Sequence, residues 1–134
     1  MLVLDSNIIS YYFRGHARIT QRLQAQSPTE IGVPAIVEYE LRYGLMRLPQ
    51  EAAQARIEAL NKLLFPMQNL PFDAACAQKA ALLRAELEKK GASIGPHDIL
   101  IAATALRYQA PLVTHNVREF ARAPGLQVID WHDE

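Results

Sequence analysis

The sequence is poor in cysteine, in net charge and in long apolar runs, and each absence excludes a class of protein. Cys76 is the only cysteine among 134 residues, so an internal disulfide and multi-cysteine zinc or iron–sulfur sites are excluded. Fourteen basic side chains balance fourteen acidic ones, which argues against a protein that binds polyanions through its overall charge. No apolar run approaches the roughly 18 residues of a membrane span.

The composition favours one globular domain. Half of the residues are hydrophobic, and the length of 134 residues suits a single domain with its own core. The N-terminal segment MLVLDSN has neither the basic start nor the apolar stretch of a signal peptide. We therefore expect residues 1–134 to form one domain that acts in the cytoplasm.

Short apolar strands alternate with amphipathic helices, a pattern that predicts a parallel α/β sandwich. Strands are expected at residues 2–4, 30–33, 67–70, 111–114 and 127–129. Helices are expected between them, and the helix that opens at Pro96 is apolar on all sides over residues 99–103. This helix is therefore expected to lie buried at the centre of the fold.

Asp5 is the first carboxylate in an informative place, because it directly follows the first buried strand. Ligands of open α/β sheets bind beyond the carboxyl ends of the strands. Helix capping is the alternative role for Asp5. Ser6 is expected to be the N-cap of the first helix, however, and Asn7 is also able to cap it, so capping alone explains Asp5 weakly.

Glu40 is predicted to point inward from its helix. On a wheel with ~100° per residue, Glu40 falls inside the apolar arc that contains Val37, Leu41 and Gly44, whereas Glu38 falls outside the arc and is expected to face solvent. A carboxylate carried inward has to meet a cation or a metal, or be protonated. A simple buried Glu–Arg pair is the alternative.

Two further polar groups are expected at the same edge of the sheet. Asp98 lies in the first turn of the apolar helix, where the helix dipole also favours an acid, and its neighbour His97 is expected to be a capping or surface residue. Asn116 and Glu119 follow the fourth strand. Turn formation is the alternative role for Asn116.

Carboxylates that converge in one cleft repel one another unless divalent cations neutralise them. Oxygen ligands favour Mg²⁺ or Mn²⁺ over zinc. The chemistry that best uses such a cluster is metal-assisted phosphodiester hydrolysis, in which the metal lowers the pKa of a water molecule. The sequence has no glycine-rich phosphate loop and no HExxH motif that points to another mechanism.

Four segments together resemble the PIN-domain ribonucleases, in particular the VapC-type toxins of bacterial toxin–antitoxin pairs. They are LDSNIIS at 4–10, VEYELRYG at 37–44, IGPHDILIAATAL at 94–106 and VTHNVREFARAPGLQVIDW at 113–131. The resemblance implies a three-layer α/β/α sandwich around a parallel sheet of four to five strands. It also implies an Mg²⁺- or Mn²⁺-dependent endoribonuclease that cuts structured RNA such as tRNA or rRNA, a cognate antitoxin and a homodimer.

The acidic positions of the family correspond to Asp5, Glu40 and Asp98, which the resemblance therefore implies are the catalytic metal ligands. Asn116 stands where many PIN domains have aspartate, so a second metal would be held less firmly. Glu119 stands at a further acidic position of the family and is expected to compensate in part. Both are retained as candidate catalytic residues, and the number of metal ions stays open.

Supporting and RNA-binding positions follow from the same comparison. Ser6 occupies a position where the family more often has threonine, and Asn7 is expected to orient the carboxylates through hydrogen bonds. Arg14, Arg18 and Arg22 are expected to share one face and to form a positive stripe for RNA. Solvated surface charges are the alternative for each arginine.

Two rival functions remain. A phosphatase of the haloacid-dehalogenase type needs a second aspartate two residues after the first. Asn7 occupies that position, which argues against this class. A catalytically weakened RNA- or partner-binding module on the PIN fold is favoured by Asn116. Cleavage of RNA with and without EDTA separates this module from a nuclease.

Overall fold

A computed structural model describes residues 1–132. Five strands form one parallel sheet in the order β3-β2-β1-β4-β5, flanked by helices. The strands are β1 Leu2–Leu4, β2 Ile31–Pro34, β3 Gln68–Leu70, β4 Leu112–Val113 and β5 Val128–Ile129. The predicted α/β fold with a central parallel sheet is confirmed, and each strand boundary lies within one residue of its expected position.

The helices occupy the segments between the strands, as the pattern predicts. Their bounds are α1 Ser6–Phe13, α2 Ala17–Gln24, α3 Ala35–Met46, α4 Gln50–Leu64, α5 Ala74–Lys89, α6 Pro96–Arg107 and α7 Val117–Phe120, with a 3₁₀ turn at Pro28–Glu30. Across residues 1–132, none of the helices combines the length and the apolar character that crossing a membrane requires.

The central helix α6 is buried as predicted. Ile101, Ala102, Ala103 and Ala105 are fully buried, and the small alanine side chains let neighbouring elements pack close to the helix axis. Asp98 lies in the first turn of this helix. The core therefore fixes one of the candidate carboxylates at the rim of the sheet.

The N-cap of α1 is Asp5, and the prediction of Ser6 was wrong. Asp5 has extended backbone angles (φ −78°, ψ 159°), and its Oδ1 accepts a 2.8 Å hydrogen bond from the backbone N–H of Ser6. Since β1 ends at Leu4 and α1 begins at Ser6, a single residue connects sheet and helix. Its carboxylate lies both at the end of a strand and at the start of a helix.

The prediction that Arg14, Arg18 and Arg22 share one helix face was also wrong, whereas their proposed role in RNA binding stays a prediction. Arg14 is the C-cap of α1, and Gly15 after it has a φ of 79°, a left-handed conformation that glycine adopts at little cost. The helix therefore ends there, and α2 begins afresh at Ala17. Arg18 and Arg22 remain one turn apart on α2, whereas Arg14 lies on a different helix.

Candidate active site

Asp5 is held by the end of the neighbouring strand. Strands β1 and β4 pair with Leu4 opposite Val113, so Asp5 and Thr114 leave the sheet side by side. The hydroxyl of Thr114, which is fully buried, donates a 2.7 Å hydrogen bond to Oδ2 of Asp5. Asp5 is 5% exposed, and this burial raises the pKa of its carboxyl despite the hydrogen bonds from Thr114 and Ser6.

Asn7 was expected to orient the carboxylates through hydrogen bonds, but its side-chain hydrogen bonds go to Thr114 and His115. Its Nδ2 donates to Oγ1 of Thr114 at 3.4 Å, and its Oδ1 accepts from the backbone N–H of His115 at 3.3 Å. Asn7 therefore fixes the segment after β4. Any orientation of Asp5 by Asn7 passes through the Thr114 hydroxyl.

Glu119 is held by donors on both of its oxygens. Oε1 accepts a 2.5 Å hydrogen bond from the backbone N–H of Gly95, and Oε2 accepts a 2.7 Å bond from Nδ2 of Asn116. These two bonds lower the pKa of Glu119. They also tie α7 to the loop before α6, which supports the start of the helix that carries Asp98.

Asp98 lies against this charged carboxylate. A Cβ added at Gly95 would lie 3.3 Å from Oδ2 of Asp98 and 3.5 Å from Oε1 of Glu119, so the absence of a side chain at Gly95 permits the close approach. Burial, and then the negative charges of Glu119, Asp5 and Glu40, raise the pKa of Asp98 to about 7. Asp98 is therefore harder to ionise than an ordinary aspartate, and its protonated form is hydrogen-bonded to Glu119.

The fourth carboxylate near Asp5, Asp98 and Glu119 is Glu40, which lies on α3. Its Oε2 lies 3.3 Å from Nδ1 of His97, and its Oε1 is buried without a hydrogen-bond partner. Its charge also raises the pKa of both Asp5 and Asp98. His97 lies at the surface as expected, with 48% of its side chain exposed, but its contact with Glu40 was not predicted.

Glu38 does not face open solvent, in contrast to the prediction. Its side chain is 27% exposed, the same fraction as that of Glu40. Oε2 accepts a 2.8 Å bond from Nε of Arg42, and Oε1 accepts a 3.3 Å bond from Nδ2 of Asn69. The difference between the two glutamates is therefore their partners, because Glu38 is neutralised by an arginine.

The residues Asp5, Glu40, Asp98 and Glu119 are called here the carboxylate cluster. Within residues 1–132, no Lys or Arg forms an ion pair with Asp5, Glu40 or Asp98. Across the same residues, no three His, Cys, Asp or Glu side chains already stand as ligands around one point.

The donor chemistry of the cluster nevertheless fits a hard divalent cation. The donors are carboxylate oxygens, which Mg²⁺ and Mn²⁺ prefer. Glu40 offers a buried oxygen without a partner, and a cation would relieve the like-charge repulsion that raises the pKa of Asp98. Mg²⁺ usually keeps several water ligands and needs only one or two carboxylates from the protein.

Sequence reasoning missed Thr114 and Gly95, both of which position the carboxylates. Thr114 belongs to the predicted fourth strand, and a threonine at a strand end carries no distinctive signal. Gly95 directly precedes the helix that opens at Pro96, where a glycine carries no distinctive signal either. A fully buried hydroxyl would have been the informative sign, but burial at this level depends on strand pairing over 109 residues of sequence.

Known proteins resemble the chain over almost its whole length. A PIN-domain family model matches residues 2–126. Ribonuclease VapC2 of Rickettsia felis is 35% identical over 133 residues, 96% of each chain, and the tRNA(fMet)-specific endonuclease VapC of Salmonella typhimurium is 27% identical over 129 residues, also 96% of each. The crystal structure of VapBC2 from Rickettsia felis, bound to a promoter DNA fragment, matches with a TM-score of 0.84 and 32% identity, covering 97% of this chain and 98% of that one. The chain therefore belongs to the PIN-domain family and, within that family, to the VapC proteins.

Proposed function

We propose that the protein is a metal-dependent endoribonuclease that acts as the toxin of a toxin–antitoxin pair. We also propose that residues 1–134 form one domain. The observation that carries the proposal is the carboxylate cluster, in which Asp5, Glu40 and Asp98 form no ion pair with a Lys or Arg of residues 1–132. The charge of Glu40 raises the pKa of both Asp5 and Asp98. Such a cluster is stable in a working enzyme when a divalent cation neutralises it. The ribonuclease names of the VapC relatives support RNA as the substrate.

Asp5, Glu40 and Asp98 are the proposed ligands of Mg²⁺ or Mn²⁺. When bound, the ion lowers the pKa of a water molecule and offsets the negative charge of the phosphodiester. Asp5 is presented for this role by Thr114 and by the N–H of Ser6. Asp98 loses its proton when the site is occupied, because the cation removes the like-charge repulsion that raises its pKa.

Glu119 and Asn116 are proposed as positioning residues. Both oxygens of Glu119 are engaged, by Gly95 and by Asn116, so its role is to hold the start of α6 and the proton of metal-free Asp98. The amide of Asn116 donates to Glu119, which an aspartate at this position is unable to do when ionised. This arrangement favours one firmly held ion over two.

The VapBC complex solved for Rickettsia felis supports a protein antitoxin as partner, and we propose that this chain has one and that the toxin forms a homodimer. A basic antitoxin side chain among the carboxylates would inhibit the enzyme by competing with the metal. We place the activity in the cytoplasm, where RNA is found. Arg18 and Arg22 on α2 remain candidates for long-range attraction of RNA.

A catalytically weakened RNA- or partner-binding module is the second candidate, and the specific observation behind it is Asn116 at a position that is acidic in many PIN domains. Such a module binds RNA equally well in Mg²⁺ and in EDTA and leaves it intact. The two candidates therefore differ in one assay.

That assay incubates the purified protein with total tRNA in Mg²⁺, in Mn²⁺ and in EDTA. The nuclease cleaves in both metals and is inactive in EDTA, and Asp5→Asn abolishes cleavage while leaving the fold intact. Asp73→Asn is the matched control, because Asp73 is also a helix N-cap, at α5, with an Oδ1 that accepts from Cys76. Wild-type cleavage rates in Asp5→Asn would contradict the proposal.

A further inference from the structure

A cavity of about 450 Å³ adjoins the carboxylate cluster between α1, α3 and α4. It shares Glu40 and Ser6 with the candidate active site and extends away from them along α1 to Arg14. Its volume lies within the range of ~300–1,000 Å³ typical of small-molecule sites. A group seated in this cavity would therefore sit directly beside the reacting phosphodiester.

Gly44 in the wall of the cavity has no structural explanation in its helix. It lies inside α3, where glycine is less stable than alanine because it loses more conformational freedom on folding. Its φ is not positive, and a Cβ built at Gly44 meets no atom within 4 Å. Although the sequence pattern placed it on the inward apolar face, it is exposed. The absence of a side chain at Gly44 keeps the cavity open.

The rim of the cavity is positively charged away from Glu40. Arg14 at the end of α1 and Arg56 on α4 both line it. Neither forms an ion pair with a carboxylate of residues 1–132, and the guanidinium of Arg14 lies over the ring of Tyr11 at 5.5 Å. The cavity thus presents two cations whose charge is available to an anionic ligand.

The remaining wall is suited to a nucleobase. Leu45 and Leu60 supply apolar surface, and Phe13 lines the same cavity with 44% of its surface exposed. Single-stranded RNA is held by aromatic and apolar side chains against the bases together with arginine against the phosphates. The cavity combines these elements with Glu40 of the carboxylate cluster in a single lining.

We propose that this cavity is a binding subsite for the RNA nucleotide next to the cleaved phosphodiester, with Arg14 and Arg56 at its phosphate and Phe13 at its base. The subsite rests on the proposed ribonuclease function. Charge complementarity and continuity with the carboxylate cluster favour RNA over a protein segment as the occupant. Arg56, which the sequence did not single out, becomes a substrate-binding residue.

Gly44→Leu tests the subsite without changing charge. The leucine side chain fills open space in the cavity, and replacing a helix-interior glycine is expected to raise the melting temperature, so a loss of function is not a loss of fold. We expect it to weaken binding of a fluorescein-labelled single-stranded RNA in EDTA about 10-fold, which corresponds to ~1.4 kcal/mol. It should raise the KM for total tRNA more than it lowers kcat, and Gly44→Ala should have a smaller effect.

Arg14→Ala and Arg56→Ala test the phosphate contacts. Each is expected to weaken RNA binding in EDTA and to reduce the slope of log K against log salt by about 0.7, the value for one phosphate on a single strand. Lys62→Ala is the matched control, since Lys62 is an exposed cation on the same helix as Arg56 but does not line the cavity.

The outcomes separate the subsite from the function. Wild-type cleavage combined with normal RNA binding and KM in Gly44→Leu overturns the subsite and leaves the ribonuclease standing, and the cavity then belongs to a protein partner or to no ligand. Equal effects of Lys62→Ala and Arg56→Ala also overturn it, since they indicate attraction by overall charge. Cavity-dependent RNA binding without cleavage in Mg²⁺ supports the subsite and contradicts the enzyme. A wild-type protein that neither binds nor cuts RNA contradicts both.

Discussion

The hydroxyl of Thr114 donates a 2.7 Å hydrogen bond to Oδ2 of Asp5 across the junction of two parallel strands. Oγ1 of Thr114 itself accepts hydrogen bonds from Nδ2 of Asn7 and from the backbone N–H of Asn116. The buried Thr114 side chain therefore connects Asp5 to the segment after β4, which carries Glu119. The arrangement gives Asp5 a fixed orientation before any ligand arrives.

Removing this hydroxyl should uncouple the two segments. We expect Thr114→Val to raise the Mg²⁺ concentration needed for half-maximal cleavage by about 10- to 100-fold, as loss of a partner of a metal ligand does. It should also cost about 1–3 kcal/mol of stability, because buried donors lose their acceptor. Thr114→Ser keeps the hydroxyl and should restore the Mg²⁺ dependence. A Thr114→Val protein with normal Mg²⁺ dependence would show that Asp5 needs no such support.

Asp98 makes the stability of the metal-free protein depend on pH. The folded state keeps the Asp98 proton up to about pH 7, whereas the unfolded chain releases it near about pH 4. The stabilisation from this proton is complete below about pH 4 and is lost as the pH rises through 7. In EDTA, Asp98→Asn should therefore be more stable than wild type at pH 8 by about 1–2 kcal/mol, allowing for solvent at this half-buried group.

Thermal unfolding in EDTA between pH 4 and 8 measures this effect. The gap between Asp98→Asn and wild type should be small at the acidic end and grow towards pH 8. A gap that is independent of pH would mean that Asp98 is ionised throughout, and the repulsion inferred for the cluster would then be absent. Asp98→Asn should also abolish RNA cleavage and growth arrest.

Glu40 and Glu38 form a matched pair on α3, since both side chains are 27% exposed. Glu40→Gln removes a charge that faces other carboxylates, so it should raise the melting temperature in EDTA while reducing cleavage. Glu38→Gln removes the partner of Arg42 and should lower stability by less than about 1 kcal/mol, with cleavage retained. A lower melting temperature for Glu40→Gln in EDTA would count against its place in the cluster.

Asn116→Asp tests why an amide occupies this position. An ionised aspartate loses the 2.7 Å donation to Glu119 and repels it, which should cost about 1–3 kcal/mol in EDTA. Because a cation would neutralise the added charge, Mg²⁺ should raise the melting temperature of this variant more than that of wild type. Equal Mg²⁺-induced shifts in the two proteins would place Asn116 outside the reach of the metal.

Local patterns were sufficient to predict the positions of Asp5 and Asp98. A strand end and the first turn of an apolar helix are both visible in a few residues of sequence, and the parallel sheet then brings strand ends to one edge. Thr114 and Gly95 were missed because their roles depend on the pairing of β1 with β4 and on the contact of α7 with the loop before α6. Those contacts join residues distant in the chain.

For the arginines, the sequence pattern predicted a grouping on one helix face that the fold does not have. Spacing of four suggested one stripe through Arg14, but Gly15 ends α1 and moves Arg14 onto the cavity beside Glu40. Arg56 lies on an exposed face of an amphipathic helix, where a charged side chain is the ordinary expectation. Only the fold brings Arg56 and Arg14 to the lining of one cavity.

The fate of the attacking oxygen distinguishes hydrolysis at the carboxylate cluster from attack by the RNA itself. RNA is cleaved by the wild-type protein in Mg²⁺ in water enriched in ¹⁸O, and the new chain ends are analysed by mass spectrometry. Hydrolysis by a water molecule at the carboxylate cluster predicts one ¹⁸O atom in each new terminal phosphate and a free hydroxyl on the opposite end, with no product in EDTA or from Asp5→Asn. A 2′,3′-cyclic phosphate without ¹⁸O, formed equally well in EDTA, would contradict the account, because the RNA's own 2′-hydroxyl would then be the nucleophile.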